Sequence, residues 1–293
     1  MTDPTPTALA ARGPRSRRRR LGWALELVGM VVIYEAYDTL RDKVAGLTEA
    51  AFRHAKQIVS AERTLGLYWE RDIQRAFLHI DWFIAFWNVF YGTVHFVIPV
   101  VALVWMYHKM PARYVRWRNT LVFMFGIAIL TFWLYPLMPP RIMPAHYGFV
   151  DTAAHYFNVG PEVPVKFTLN GHPCSPPTPH CQPDDKAMDS FGNLYAAMPS
   201  FHIGWSTWSV LALWPLVRRR WGKALLAAYP LVILFCIVVT GNHWFLDAAG
   251  GWAVLGLGYC SARLLEQASG AWHRSRGSPR TLSRAGPSEP AGV

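Results

Sequence analysis

Charge is what this 293-residue chain has least of. Asp, Glu, Lys and Arg make up 16% of it, against 52% hydrophobic residues. A soluble domain carries about 25% charge, so an ordinary water-soluble globule is excluded. No internal repeat is present, which excludes solenoids and propellers. No Gly-rich phosphate-cradling loop is present either, which excludes the common nucleotide-binding folds. Cysteine is scarce, at four residues. No cluster of His, Cys, Asp and Glu has metal-ligand spacing, and neither a metal nor a cofactor is expected.

What the chain has instead is long apolar runs. A helix crosses a bilayer in about 20 residues, and six stretches reach that scale, near 21–40, 82–107, 117–137, 201–217, 224–240 and 245–265. The expected fold is an all-α polytopic membrane protein with six transmembrane helices. The first span is the least regular, because Glu26 and Glu35 interrupt it. Fourteen Trp and twelve Tyr suit interfacial aromatic belts.

The net charge of +11 raises nucleic acid as a partner, and its distribution argues for membrane lipid instead. Six Arg lie in "RGPRSRRRR", four basic residues in "HKMPARYVRWR", four in "RRRWGK" and five from Arg263, at the end of the last span, onward. These fall on one side of a six-span chain, and by the positive-inside rule that side and both termini are cytoplasmic. The excess then serves topology and attraction to anionic lipid, with the plasma membrane as the expected location. The opening "SRRRRLGWALEL" resembles a secretion signal, even a twin-arginine one. Glu26 breaks its apolar region and no small-x-small cleavage site follows, which favours an uncleaved first span.

Residues 1–20 and 269–293 are rich in Pro, Arg and Ser and read as disordered cytoplasmic tails flanking a six-span membrane domain at 21–268. Positions 48–78 have helical spacing, with Ala51, Ala55, Ile58 and Val59 on one stripe among charges of both signs. Two readings fit equally, an amphipathic helix on the outer surface and a packing helix between spans. The loop at 139–199 is long, and such loops are functional or disordered. Its Cys174 and Cys181 lie outside the cytoplasm in this topology, where a disulfide is the natural expectation. His172 and His180 make zinc a competitor, although the spacing matches no common zinc pattern. Cys236 and Cys260 fall within spans as apolar filler.

Three short blocks carry the chemistry: "YPLMPPR", "AAMPSFHIGW" and "GNHWFLDAAGG". The topology brings Arg141, Ser200, His202, His243 and Asp247 to one depth at the outer membrane boundary. Intramembrane ionisable groups are costly and mark function. Arg holds phosphate oxygens bidentately. Ser200 opens a helix whose N-terminus favours an anion. A neutral imidazole is a competent nucleophile, and a carboxylate one turn away fixes its tautomer and stabilises the charge it gains. A second, protonated His serves as general acid. Asn88, Tyr91 and His95 share one face of the second span and are candidates to line the substrate cavity, with a satisfied buried histidine as the equal alternative for His95.

These blocks resemble the signatures of the type-2 phosphatidic acid phosphatase superfamily over roughly residues 80–265. The resemblance implies His243 as nucleophile, Asp247 as its orienter, His202 as general acid, and Arg141 and Ser200 as phosphate ligands. The chain also departs from the phosphatase pattern. Leu134 stands seven residues before Arg141 where that pattern has Lys, Phe201 replaces Gly in the second block, and Cys236 and Ile237 replace Ser-Arg before the third. Those departures are more similar to the inositol phosphorylceramide synthase branch, the inositolphosphotransferase-like members. The implied activity is transfer of a phosphoryl or phospho-headgroup, or lipid phosphate hydrolysis, through a phosphohistidine. Its partners would be a phospholipid or polyprenyl phosphate and the surrounding membrane lipid, with no nucleic acid and no metal. The competing class is a non-catalytic membrane protein, including one in which His202 and His243 ligate haem.

Overall fold

The computed structural model describes residues 48–153 and 195–277, three short strands between these stretches, and scattered helical residues from 26 to 39. Seven helices lie in the two long stretches: α1 (Thr48–Leu65), α2 (Glu70–Phe77), α3 (Asp81–Lys109), α4 (Pro111–Leu134), α5 (Phe201–Leu213), α6 (Arg220–Val239) and α7 (Phe245–Gly277). The body is all-helical, as the composition leads one to expect. The long loop adds a small antiparallel sheet of β1 (Phe167–Leu169), β2 (His172–Cys174) and β3 (Gln182–Pro183), with β1 in the middle.

Among the described residues, α3, α4 and α6 are long and apolar enough to cross a membrane. They match three of the six expected spans, with ends that differ by one to six residues. Helix α5 has 13 residues and runs on into a 3-10 turn at Trp214–Leu216, so the two together rise about 25 Å, a short span for a hydrocarbon core about 30 Å thick. Helix α7 runs to Gly277, past position 268. Most of the first expected span lies outside the described residues, but one of its two acids is accounted for. Glu26 accepts from Tyr114 Oη at 3.1 Å and pairs with the Arg118 guanidinium.

Local rules explain where the elements start and stop. Pro111 opens α4 in its first turn, where its missing N–H costs nothing. Helices α1 and α6 both end on a left-handed glycine, Gly66 and Gly241, each at φ +70°. In each case the following N–H reaches back to close the last turn, Leu67 to Glu62 O and Asn242 to Ile237 O, which is the Schellman arrangement.

Helix α7 lies along α4, and α5 packs against α3, α6 and α7. Two glycines let α7 come this close. A Cβ on Gly251 would run into the Ser200 carbonyl oxygen, and one on Gly258 would sit 3.0 Å from Thr120 O. Small residues at such crossings are the usual device of membrane helix packing. Met124, Phe125, Phe132, Trp205, Trp208 and Leu255 fill the resulting core. Between the two readings of 48–78, the structure selects the packing helix. The stripe of Ala51, Ala55, Ile58 and Val59 is buried against Leu137, Met138 and Trp244.

Candidate active site

The Gly241 turn delivers His243 into the interior just ahead of α7, 4% exposed. Its Nδ1 lies 2.8 Å from Ala197 O and 3.2 Å from Asp247 Oδ2. A carbonyl oxygen can only accept, so Nδ1 carries the hydrogen and Nε2 keeps its lone pair. Nε2 points at His202 Nδ1, 3.3 Å away. His202, in the first turn of α5, stacks on Tyr91 of α3 with ring centroids 4.2 Å apart and planes at 20°.

Asp247 is fully buried. Its Oδ2 also accepts the Trp244 N–H at 2.9 Å. Trp244 precedes the first residue of α7 and Asp247 is the third, so this is the return half of a capping box. The helix-cap and His-orienting readings of Asp247 are therefore both satisfied by one oxygen. Its other oxygen, Oδ1, is buried without a hydrogen-bond partner.

Ser200 occupies the N-cap of α5 and makes no side-chain cap bond. It is fully buried, its Oγ has no partner, and its N–H donates to Asp247 O at 2.9 Å. This buried hydroxyl at a helix N-terminus is well suited to an anion. Arg141 sits in a 3-10 turn and is tied to the His243 segment by its N–H to Gly241 O, 2.8 Å. Its Nη1 bonds both oxygens of Asp151, at 2.9 and 2.7 Å. The structure thus brings His202, His243, Asp247 and Ser200 into one contiguous cluster, with Arg141 beside it and engaged by a carboxylate.

The second-span candidates divide. Tyr91 reaches the site through His202. Asn88 is buried and accepts from Thr152 Oγ1 at 3.3 Å, which supports the segment carrying Asp151. The side chain of His95 lies outside the described residues, as do Cys181 and any Cys174–Cys181 pairing. Cys236 and Cys260 are free thiols.

Several residues of the neighbourhood escaped the sequence reading. Asp151 and the Ala197 carbonyl carry no sequence signal. Gln74 is fully buried and bonds Val150 through both its nitrogen and its oxygen, each at 3.0 Å. Glu62 and Glu70 are also fully buried. Glu62 accepts the Leu246 N–H at 2.8 Å and Glu70 the Phe245 N–H at 3.0 Å. A signal for Glu62 did exist, since it lies three and four residues after Val59 and Ile58, on the apolar stripe of α1. Burial raises both carboxyls above their ordinary value. Contact with Glu70 raises Glu62 further, while a hydrogen bond from Glu62 draws Glu70 back down. Among the described residues, no group of three His, Cys, Asp or Glu is arranged to hold a metal.

Three helices able to cross a membrane, with a buried histidine–carboxylate cluster beside their ends, define a helical membrane protein built around a polar site. Within that class, the chain belongs to the PAP2 superfamily, whose model matches residues 56–261, more than half of its length. Members are typically phosphatases or phosphotransferases. No curated protein and no solved structure matches the chain.

Proposed function

We propose that this protein is a six-span membrane enzyme that transfers a phosphoryl or phospho-headgroup from a lipid phosphoester, with its site at the extracytoplasmic boundary and both termini in the cytoplasm of a cell-membrane protein. The observation that carries this reading is the hydrogen-bonding of His243: with Nδ1–H held by Ala197 O and Asp247, the free lone pair is on Nε2. In the first step Nε2 attacks phosphorus, the bond to the leaving oxygen breaks, and His202 gives that oxygen a proton. Asp247 stabilises the positive charge on the ring. In the second step an acceptor hydroxyl gives its proton to His202 and attacks phosphorus as the P–N bond breaks. Water as acceptor makes a lipid phosphatase; a sugar or lipid hydroxyl makes a transferase of the inositolphosphotransferase kind. The departures at Leu134, Phe201, Cys236 and Ile237 favour the transferase.

In-line transfer puts phosphorus about 3–3.5 Å from the nucleophile and the leaving oxygen beyond it, about 2.6–3.2 Å from the acid. The two imidazoles, now 3.3 Å apart, must separate, so His202 swings off His243 as substrate enters. Ser200 and Arg141 receive the phosphate oxygens, with Arg141 exchanging Asp151 for them. An apolar cavity of about 340 Å³, lined in part by Phe96, Leu103, Phe125 and Trp205, begins one turn along α5 from His202 and suits a hydrocarbon chain. The haem alternative has no use for the carboxylate behind His243.

The test is to incubate the purified protein with a panel of ³²P-labelled lipid phosphates and phospholipids, then denature it. An acid-labile, base-stable label on wild type, absent from His243→Ala, is expected. A label that persists in His243→Ala removes the assignment of the nucleophile. Free phosphate against new labelled lipid distinguishes phosphatase from transferase.

A further inference from the structure

Helix α7, which carries Asp247, begins with four backbone N–H groups that need partners. Trp244 N–H goes to Asp247 Oδ2, and Asp247 N–H to Trp244 O. The two between them, on Phe245 and Leu246, are taken by Glu70 and Glu62. Each glutamate uses Oε1 for this. Each leaves Oε2 buried and without a hydrogen bond; the Trp69 and Glu70 N–H groups lie near the Glu70 carboxyl, and the two carboxyl groups act directly on each other. Two facing acceptors in a dry site repel unless one of them holds a proton.

We propose that Glu62 and Glu70 share a single proton between their Oε2 atoms and, so joined, act as a positioning pair that clamps the start of α7 and with it the His243–Asp247 dyad. The inference rests on the catalytic reading above and adds residues that never touch substrate. Its geometry is set by the Gly66 turn, which folds α1 back so that Glu62 meets Glu70 across eight residues of chain. Among the described residues, no Lys, Arg or His lies within ion-pair distance of either carboxyl. The groups that face the pair are Asp247 on α7, which repels negative charge on both, and Tyr68 on the connecting turn, with Arg63 over the Tyr68 ring and Arg71 of α2 acting on the same hydroxyl. Burial pushes both carboxyls toward the protonated form, and contact between the two acids raises Glu62 further. One proton leaves one negative charge on the pair, at the start of the helix that carries Asp247.

A shared proton makes an unusual prediction for amides. In Glu62→Gln, Oε1 still accepts the Leu246 N–H and the new NH₂ donates to Glu70, in place of the proton. Glu70→Gln is equivalent. In the double amide both Oε1 atoms remain tied to backbone N–H, and two NH₂ groups face each other with no acceptor. With dioctanoyl phosphatidic acid in mixed micelles as probe, Glu62→Ala should lower kcat at least tenfold with KM within about twofold. Glu62→Gln should restore kcat to within about threefold of wild type, and the double amide should fall at least tenfold again. A purely steric role predicts that the isosteric double amide is active. Full activity in the double amide, or a single amide as damaged as the double, overturns the proposal.

Two measurements need no turnover. At pH 8 the infrared spectrum of wild type should show one protonated carboxyl that is missing from each single amide. Hydrogen exchange at amides 245 and 246 should be slow in wild type and both single amides, and fast in the double. If wild type leaves the probe and the lipid panel untouched, the catalytic reading fails, and these two signals still decide whether the pair is protonated and clamps α7. Absence of the carboxyl band in wild type refutes the shared proton.

Discussion

Replacing Asp247 with Asn asks whether this carboxylate does more than cap a helix. Its Oδ2 serves two donors, the Trp244 N–H at 2.9 Å and His243 Nδ1 at 3.2 Å. The amide oxygen of Asn can keep the cap. The NH₂ must then take the place of Oδ1, which is buried beside no partner, and an unpaired buried donor costs about 1–3 kcal/mol. The electrostatic effect is larger. A unit negative charge 3.2 Å from a unit positive charge contributes about 5 kcal/mol at an effective dielectric of about 20. Most of that is realised only when the ring becomes cationic, so it appears in kcat. The Ala197 carbonyl, at 2.8 Å, still fixes the Nδ1–H tautomer, which moderates the loss. We expect kcat to fall roughly 10³-fold, with KM nearly unchanged and a modest loss of thermal stability. Turnover per folded molecule and melting temperature should be measured on the same preparations of wild type, Asp247→Asn, His243→Ala and the double variant. The double variant should be no slower than His243→Ala alone, because the two act as one unit. An Asp247→Asn protein that melts lower yet keeps kcat within about threefold would refute the orienting role and leave only the cap.

Other outcomes follow from the same geometry. Gly251→Ala drives a methyl into the Ser200 carbonyl; overpacking of this kind costs about 1–3 kcal/mol, and because it displaces the α5 N-terminus it should depress activity more than Gly256→Ala, where a Cβ meets nothing within 4 Å. Equal activity of the two would count against the close crossing. The Glu62 carboxyl is raised above its ordinary 4.5, so the folded chain holds a proton that the unfolded chain releases. Its stabilisation is full below about pH 4.5 and is lost as pH rises toward the raised folded value, at up to about 1.4 kcal/mol per pH unit. Melting curves from about pH 5 to 9 should fall more steeply for wild type than for Glu62→Gln, and parallel curves would contradict the linkage. Activity should survive exhaustive EDTA treatment, because the described residues offer no metal-ligating group of three; complete loss restored by one added metal would reject the metal-free mechanism. Asp151→Asn should lower KM by releasing Arg141 for the phosphate, and a raised KM would show that Asp151 is needed to aim the guanidinium.

Much of this was legible along the chain because membrane crossing and helix initiation are local. Apolar length alone marks α3, α4 and α6. The four-residue spacing of His243 and Asp247 is enough to pair them across the start of α7, since one turn of helix sets that distance. Ser200 beside a proline announces the N-terminus of α5 in the same way. What lay beyond the sequence depends on where the chain returns to itself. The Ala197 carbonyl that fixes the tautomer of His243 is 46 residues away, and a backbone oxygen carries no side-chain signature. The engagement of Arg141 by Asp151 needs the loop after α4 held by Gln74 and Asn88, from two other helices. Glu62 shares the apolar stripe of α1 with Ile58 and Val59, but spacing does not say what that stripe meets. Only the packing of α1 beneath α7 turned its carboxyl away from water and toward Glu70 and Leu246. Spacing within a helix fixes which groups share a face; whether that face meets water, lipid or another buried acid is decided by long-range packing.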